Sequence, residues 1–168
     1  MTEAAAIPGP TDDAEAFAAL LPPVGSLIGL DLGDKTVGLA LSDRLRGVAG
    51  AAHTLRRVKF GVDAAAILDL CAQRGVAGIV LGLPRNMDGS EGPRAQSSRA
   101  FGRNLARLTP LPILMWDERL STVAAERTLL EADTSRKRRA EVIDAVAAGY
   151  ILQGALDRLA HLGRRSAP

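Results

Sequence analysis

Ser26-Leu-Ile-Gly-Leu-Asp31-Leu-Gly33-Asp-Lys-Thr36-Val-Gly-Leu-Ala-Leu41 decides the fold class. Leu27 to Asp31 is an apolar run that reads as a buried strand, and Val37 to Leu41 is a second one. Gly33-Asp34-Lys35 between them is a tight turn. Two strands joined this closely form an antiparallel hairpin, because a parallel pair needs a crossover of a dozen residues or more. Residues 48–56 supply a third strand. A dinucleotide-binding fold would alternate strand and helix from the start, and this opening does not.

Downstream the pattern changes. Phe60 to Arg74 has the period of a helix, with Ile67, Leu68 and Cys71 on its inner face. Val76 to Leu81 is a strand ended by Gly82-Leu-Pro84, and Arg85 to Pro93 is a polar loop. Gln96 to Leu108 reads as a helix, and Leu111 to Asp117 as a fifth strand. Ser121 is placed to cap a helix over 122–131, its side-chain oxygen accepting from a first-turn N–H. Residues 132–139 read as a polar, basic loop, and Glu141 to Leu159 as a long, alanine-rich final helix. The later strand–helix–strand crossovers require a parallel half-sheet. The expectation is an α/β domain over 24–160: a mixed five-stranded sheet, its first three strands antiparallel, with helices on both faces. Residues 1–23 read as a flexible leader or an edge decoration, with a short helix over Asp12–Leu21 closed by Pro22-Pro23. Residues 161–168 read as a flexible basic tail.

Composition narrows the class. With 168 residues, 47 % of them hydrophobic, one domain with a proper core is expected. Aromatic residues are confined to Phe17, Phe60, Phe101, Trp116 and Tyr150, so that core must be aliphatic. A single cysteine, Cys71, excludes an intrachain disulfide and a cysteine zinc site, and suits a reducing compartment. The start of the chain lacks a signal-peptide pattern, and no run is long and apolar enough to span a bilayer. A cytoplasmic protein without a membrane partner is expected. The net charge of +2 says little, but Arg136-Lys137-Arg138-Arg139 is a continuous basic block suited to phosphates.

Asp31 and Glu118 each close a hydrophobic run. Strand ends of open α/β sheets border the ligand crevice, and a carboxylate withdrawn into such a place needs compensation. The final helix offers a third carboxylate. Asp144 sits among Val142, Ile143 and Val146, with Ala145, Ala147 and Ala148 small enough to let the helix approach the sheet; Glu141, one turn earlier, competes for the role. An aspartate near a helix start also has an ordinary explanation in the helix dipole. Three carboxylates in one pocket repel unless a cation is present, and oxygen ligands suit Mg²⁺ or Mn²⁺. Such a site fits phosphodiester hydrolysis by two ions about 3.5–4 Å apart. His53 and His161 are isolated and read as surface or turn residues. Lys35 and Thr36 can donate to phosphate oxygens, although the turn lacks P-loop spacing. Arg85, Asn86 and Arg119, beyond strand ends, are candidate substrate contacts, and Asp88–Gly92 is a candidate closing loop.

Taken together, Asp31-Leu-Gly-Asp-Lys-Thr-Val-Gly-Leu-Ala40, Gly82-Leu-Pro-Arg-Asn-Met-Asp-Gly89, Asp117-Glu-Arg-Leu-Ser-Thr122 and Val142-Ile-Asp-Ala-Val-Ala-Ala148 resemble the signatures of the YqgF/RuvX family, from about residue 27 to 155. The resemblance implies a ribonuclease H-like fold of the Holliday-junction-resolvase branch. It implies a cytoplasmic, metal-dependent nuclease that matures the 5′ end of precursor 16S ribosomal RNA, with the ribosome or its precursor as a partner. The triad it implies is Asp31, Glu118 and Asp144, both catalytic and metal-holding. Side chains alternate along a strand, so one of Asp117 and Glu118 faces the site; the family pattern favours Glu118. Three other functions compete: a DNA junction resolvase, for which a dimer is usual; an actin-like or sugar-kinase-like ATPase, for which the chain is too short; and a catalytically silent RNA-binding factor, which has no need of three carboxylates.

Overall fold

The computed structural model describes residues 9–121 and 136–166, with the side chains of the last helix from 143 to 164. Five strands form one sheet: β1 (Ser26–Leu32), β2 (Thr36–Ser42), β3 (Ala49–Arg56), β4 (Val76–Leu83) and β5 (Ile113–Asp117). Their order is β3-β2-β1-β4-β5. β1 pairs antiparallel with β2, and β2 with β3. β1 pairs parallel with β4, and β4 with β5. The mixed sheet with an antiparallel opening is therefore as the hairpin requires.

Strand alternation sends Ile28, Leu30, Leu32, Val37 and Leu39 to one face. There they meet α2 (Phe60–Arg74) through Ala64, Ile67 and Cys71, and α3 (Pro93–Ala106) through Ala95, Phe101 and Leu105. Burial pushes the Cys71 thiol up to about 11, so it is an inert packing group. Leu27, Ala40, Val80, Leu114 and Trp116 face the other way. They carry Phe17 of α1 (Ala14–Ala19) and Ala147, Ala148, Ile151, Leu152, Ala155 and Leu156 of α4 (Arg136–Ser166).

α4 lies on backbone as much as on side chains. A Cβ on Gly38 would stand 1.9 Å from the carbonyl oxygen of Asp144. One on Gly29 would stand 2.8 Å from Leu152 Cβ and 2.9 Å from the Ala148 carbonyl. Glycine at these two positions is what lets the helix sit this close.

Several sequence-based expectations are corrected. Arg136–Arg139 is the first turn of α4 rather than a loop; arginine and lysine are good helix formers, and no proline or glycine stops the helix there. The same helix runs on to Ser166 with Leu162 buried, so residues 161–166 of the expected tail are helical. The described part of the leader is docked as an edge decoration. Thr11 bridges Leu114 of β5, Asp13 caps α1 by accepting from Glu15 N–H at 2.9 Å, and Phe17 is fully buried. α3 begins at Pro93, a residue that suits a first helical turn because it has no N–H to satisfy. The helix expected over 122–131 lies outside the described residues.

Candidate active site

Asp31 sits on the α4 face of β1, two residues beyond Gly29 and only 3 % exposed. Its cross-strand partner on β2 is Gly38, the residue on which the Asp144 backbone rests. Asp144 is half-buried and accepts a short hydrogen bond from the Thr36 hydroxyl, two residues before Gly38 on the same face. On the other side of β1, Leu30 pairs with Leu81, which makes Gly82 the neighbour of Asp31. A Cβ on Gly82 would stand 2.6 Å from Glu118 Oε1 and 2.7 Å from Ile151 Cδ1. The Glu118 carboxylate therefore reaches back over β4 toward α4. Asp31, Glu118 and Asp144 thus come from β1, from the turn after β5 and from α4 to one corner at the C-terminal end of the parallel strands.

Glu118 is not itself a strand residue. It opens a 3₁₀ turn (Glu118–Leu120) started by the Asp117 side chain, which accepts from Arg119 N–H at 3.0 Å. Asp117 also pairs with the Arg119 guanidinium at 2.7 Å. That hydrogen bond is the main reason its carboxyl is held below the ordinary value of 3.8. The neighbouring acids are thereby separated: Asp117 is committed to Arg119, and Glu118 faces the corner.

The donor set of this corner is oxygen only, which matches a hard divalent cation. Among the described residues no three His, Cys, Asp or Glu side chains are gathered closely enough to hold a metal ion as they stand. His53 and His161 are both exposed; His53 pairs with Leu39, whose side chain faces away from α4, and His161 lies 17 residues past Asp144 on α4.

The expected phosphate contacts divide. Lys35 is exposed on the hairpin turn beside Asp31. Thr36 is turned inward to Asp144, and Asn86 donates to Ser90 Oγ at 2.9 Å. Arg85 pairs with Asp12 at 3.2 Å and Glu91 at 3.4 Å. Arg119 pairs with Asp117 and also donates to the Met87 carbonyl at 3.4 Å. Asp88–Gly92 is a hydrogen-bonded turn: Asp88 accepts from Ser90, and Glu91 binds Arg99 at 2.5 Å. Arg136 to Arg139 begin α4, seven residues and fewer before the rest of its described face, and Glu141 lies between them and Asp144; the side chains of these residues are outside the described set.

Sequence reasoning passed over Asp12, Arg99, Arg57 and Arg94. Asp12 takes both terminal nitrogens of Arg99 at 2.8 and 2.9 Å, across 87 residues of chain. No local pattern announces such a pairing. Arg57 follows β3 and donates to the Gly33 carbonyl at 2.6 Å.

A family model described as "RuvX: Holliday junction resolvase" matches residues 25–158, a span that contains all three carboxylates. A protein of Ruegeria pomeroyi is 72 % identical over 148 residues, covering 88 % of this chain and 96 % of its own length. One of Paracoccus denitrificans is 70 % identical over 153 residues, covering 91 % and 97 %. Both carry the name "Putative pre-16S rRNA nuclease". Among solved structures, "T. thermophilus RuvC in complex with Holliday junction substrate" shares the fold, with a TM-score of 0.51 at 12 % identity over 83 % of this chain and 96 % of that one.

Proposed function

We infer the function from one premise: this chain belongs to the RuvX family, whose description is Holliday junction resolvase. We propose that it is a nuclease of pre-16S ribosomal RNA processing that hydrolyses phosphodiester bonds with Mg²⁺ or Mn²⁺ held by Asp31, Glu118 and Asp144. The relatives' shared name supports the substrate. The observation that carries the chemistry is the seat of α4 on Gly38, which sets Asp144 against the strand pair that holds Asp31.

The chemistry that a hard divalent cation supplies in such a site is Lewis-acid polarisation of the scissile phosphate and activation of water. The chain's own part is placement. Thr36 holds the Asp144 carboxylate toward β2. Gly82 leaves room for the Glu118 carboxylate, and the Asp117–Arg119 pair fixes the turn from which it projects. Lys35, exposed beside Asp31, is free of packing duties and suits a substrate phosphate. A cytoplasmic location with the precursor ribosome as partner follows from this reading. Among the described residues no helix is long and apolar enough to cross a membrane.

The test is cleavage of precursor 16S RNA and of a four-way DNA junction, with and without Mg²⁺ or Mn²⁺, by the wild type and by Asp31→Asn. RNA cleavage that needs the cation is expected. The amide keeps the shape and removes the charge, so the rate should fall at least about 10²–10³-fold, as when other electrostatic elements of an active site are removed. Folding should survive or improve, because like-charge repulsion is relieved. Asp31→Asn cleaving at the wild-type rate in saturating Mn²⁺ overturns the site. Cleavage of the junction alone moves the function to the resolvase activity in the family's description.

A further inference from the structure

We propose that the small pocket between the Gly33–Asp34 turn and the start of α3 is a phosphate subsite that holds the substrate strand beside the scissile bond. This rests on the nuclease reading above and adds residues to it. The pocket has a volume of about 200 Å³, and its lining includes Leu32, Gly33, Asp34, Arg57, Arg94 and Ser97.

Charge partnership singles the pocket out. Of the arginines around the loops at this end of the sheet, Arg85, Arg99 and Arg119 each face a carboxylate at 3.4 Å or less. Their charge is already met within the protein. Among the described residues Arg57 and Arg94 make no ion pair. They converge on one cavity with the Ser97 hydroxyl, and Asp34 is the one acid on the lining. Two guanidinium groups against one carboxylate leave a net positive charge in the pocket. Arginine presents several N–H donors in a fixed plane, a geometry that matches phosphate oxygens. Arg57 is also positioned in advance: one Nη donates to the Gly33 carbonyl at 2.6 Å, and its backbone N–H donates to the Lys35 carbonyl at 2.9 Å. Its remaining donors need not be ordered again on binding.

Place fits the same ligand. Asp31 and Leu32 are consecutive on β1 and point to opposite faces, Asp31 toward α4 and Leu32 toward the pocket. An extended chain rises about 3.3 Å per residue, so Gly33 lies roughly 7 Å along the chain from Asp31. In a DNA duplex each strand carries one charge per about 3.4 Å of helix axis, and a single strand can be drawn out farther between phosphates. A strand crossing the end of the sheet, with its scissile phosphate at the carboxylate corner, brings a phosphate one or two nucleotides away to Arg57 and Arg94.

The experiment is equilibrium binding of a labelled single-stranded segment of precursor 16S RNA over a salt series, with cleavage kinetics on the same RNA. For Arg57→Gln/Arg94→Gln, loss of one phosphate contact should make the slope of log K against log salt shallower by about 0.7. KM should rise while kcat holds, the signature of binding shared equally by ground and transition states. Arg57→Lys should keep most of the slope. Arg107→Gln, beyond the far end of α3, should keep all of it. Arg94 is exposed, so Arg94→Gln alone carries the test if loss of the Arg57–Gly33 bond unfolds the double variant, and it too should raise KM. If the wild type binds and cuts RNA and these variants match it in slope and KM, the subsite is refuted and the nuclease reading stands. If the wild type shows no salt-dependent RNA binding, both fall.

Discussion

The two faces of the sheet are built from different materials. On the α2/α3 side, leucine and isoleucine from the strands meet Ile67, Phe101 and Leu105, a thick aliphatic layer with Phe60 edge-on to Phe101 at 5.3 Å between ring centres. On the α4 side, Gly29 and Gly38 meet Ala148 and the helix backbone itself. The thick face makes many interchangeable contacts, and cores of that kind absorb volume-conserving changes. At Gly29 and Gly38 the other face has almost nothing to adjust, because a helix carbonyl lies where a side chain would begin, although Leu27, Val80, Leu114 and Trp116 pack on the same helix farther along. The candidate triad sits on this second face. Backbone on backbone fixes a carboxylate more tightly than two long side chains would, and a positioned site needs that.

One pair of substitutions tests the contrast. Leu30→Ala, fully buried in the thick face, should cost about 2–5 kcal/mol of stability, from lost burial and the cavity left behind. The molecules that remain folded should keep their specific activity. Gly38→Ala adds one methyl group and should cost about 1–3 kcal/mol, because the Asp144 carbonyl has to move away. Its specific activity should collapse even under conditions where it is folded. Urea unfolding curves read beside cleavage by the folded fraction give both numbers. Equal losses of specific activity in the two variants would abolish the distinction between the faces.

Thr36 sharpens the comparison at smaller scale. The sequence offers it as a phosphate contact, and the structure spends its hydroxyl on Asp144. Thr36→Val keeps the shape and removes the donor. A hydrogen bond to a charged group contributes about 1.5–3 kcal/mol, less where water reaches the carboxylate, so a loss near 1 kcal/mol is expected at half-buried Asp144. If Thr36 orients Asp144, kcat falls with KM little changed, and Thr36→Ser restores it. If Thr36 is a substrate contact instead, KM rises at constant kcat.

What the sequence shows and hides follows from the range of the forces involved. The hairpin, the crossovers and the apolar runs ending at Asp31 and before Glu118 are local patterns, and they are legible. The closeness of α4 is legible in part, since Ala145, Ala147 and Ala148 announce a small-residue face. Its seat on Gly38 is not, because nothing in a strand glycine names the helix that will cover it. Arg85 and Arg119 look like substrate contacts in a linear reading, yet the folded chain neutralises both. Arg57 and Arg94 look like ordinary surface residues and come together only when the hairpin turn meets α3. Arg136–Arg139 reads as a loop because it is polar, whereas the helix that contains it is decided by propensity and by the apolar face that follows.

The smallest effect tests how the two faces are joined around the β5 edge. The leader packs with α4 through Phe17, while its Asp12 reaches Arg99 on α3 and Arg85 after β4. The hydrogen bond from Arg99 is the largest cause of the lowered Asp12 pKa, and burial opposes it. A carboxyl whose folded value lies below its unfolded one stabilises the fold fully above the unfolded value, here 3.8, and loses that contribution as pH falls through the folded value. The side chain is 46 % exposed, so the expected contribution is that of a surface ion pair, under about 1 kcal/mol. Asp12→Asn should therefore unfold at slightly lower urea than the wild type at pH 6. The difference should shrink as pH drops below 3.8 and should narrow in high salt. Proteolysis within residues 9–23 should become faster in the variant over the same pH range, while the protection of β1 and β4 stays unchanged. A gap that persists at pH 2 would mean that Asp12 holds the leader by shape rather than by charge, and that the two faces are joined by packing alone.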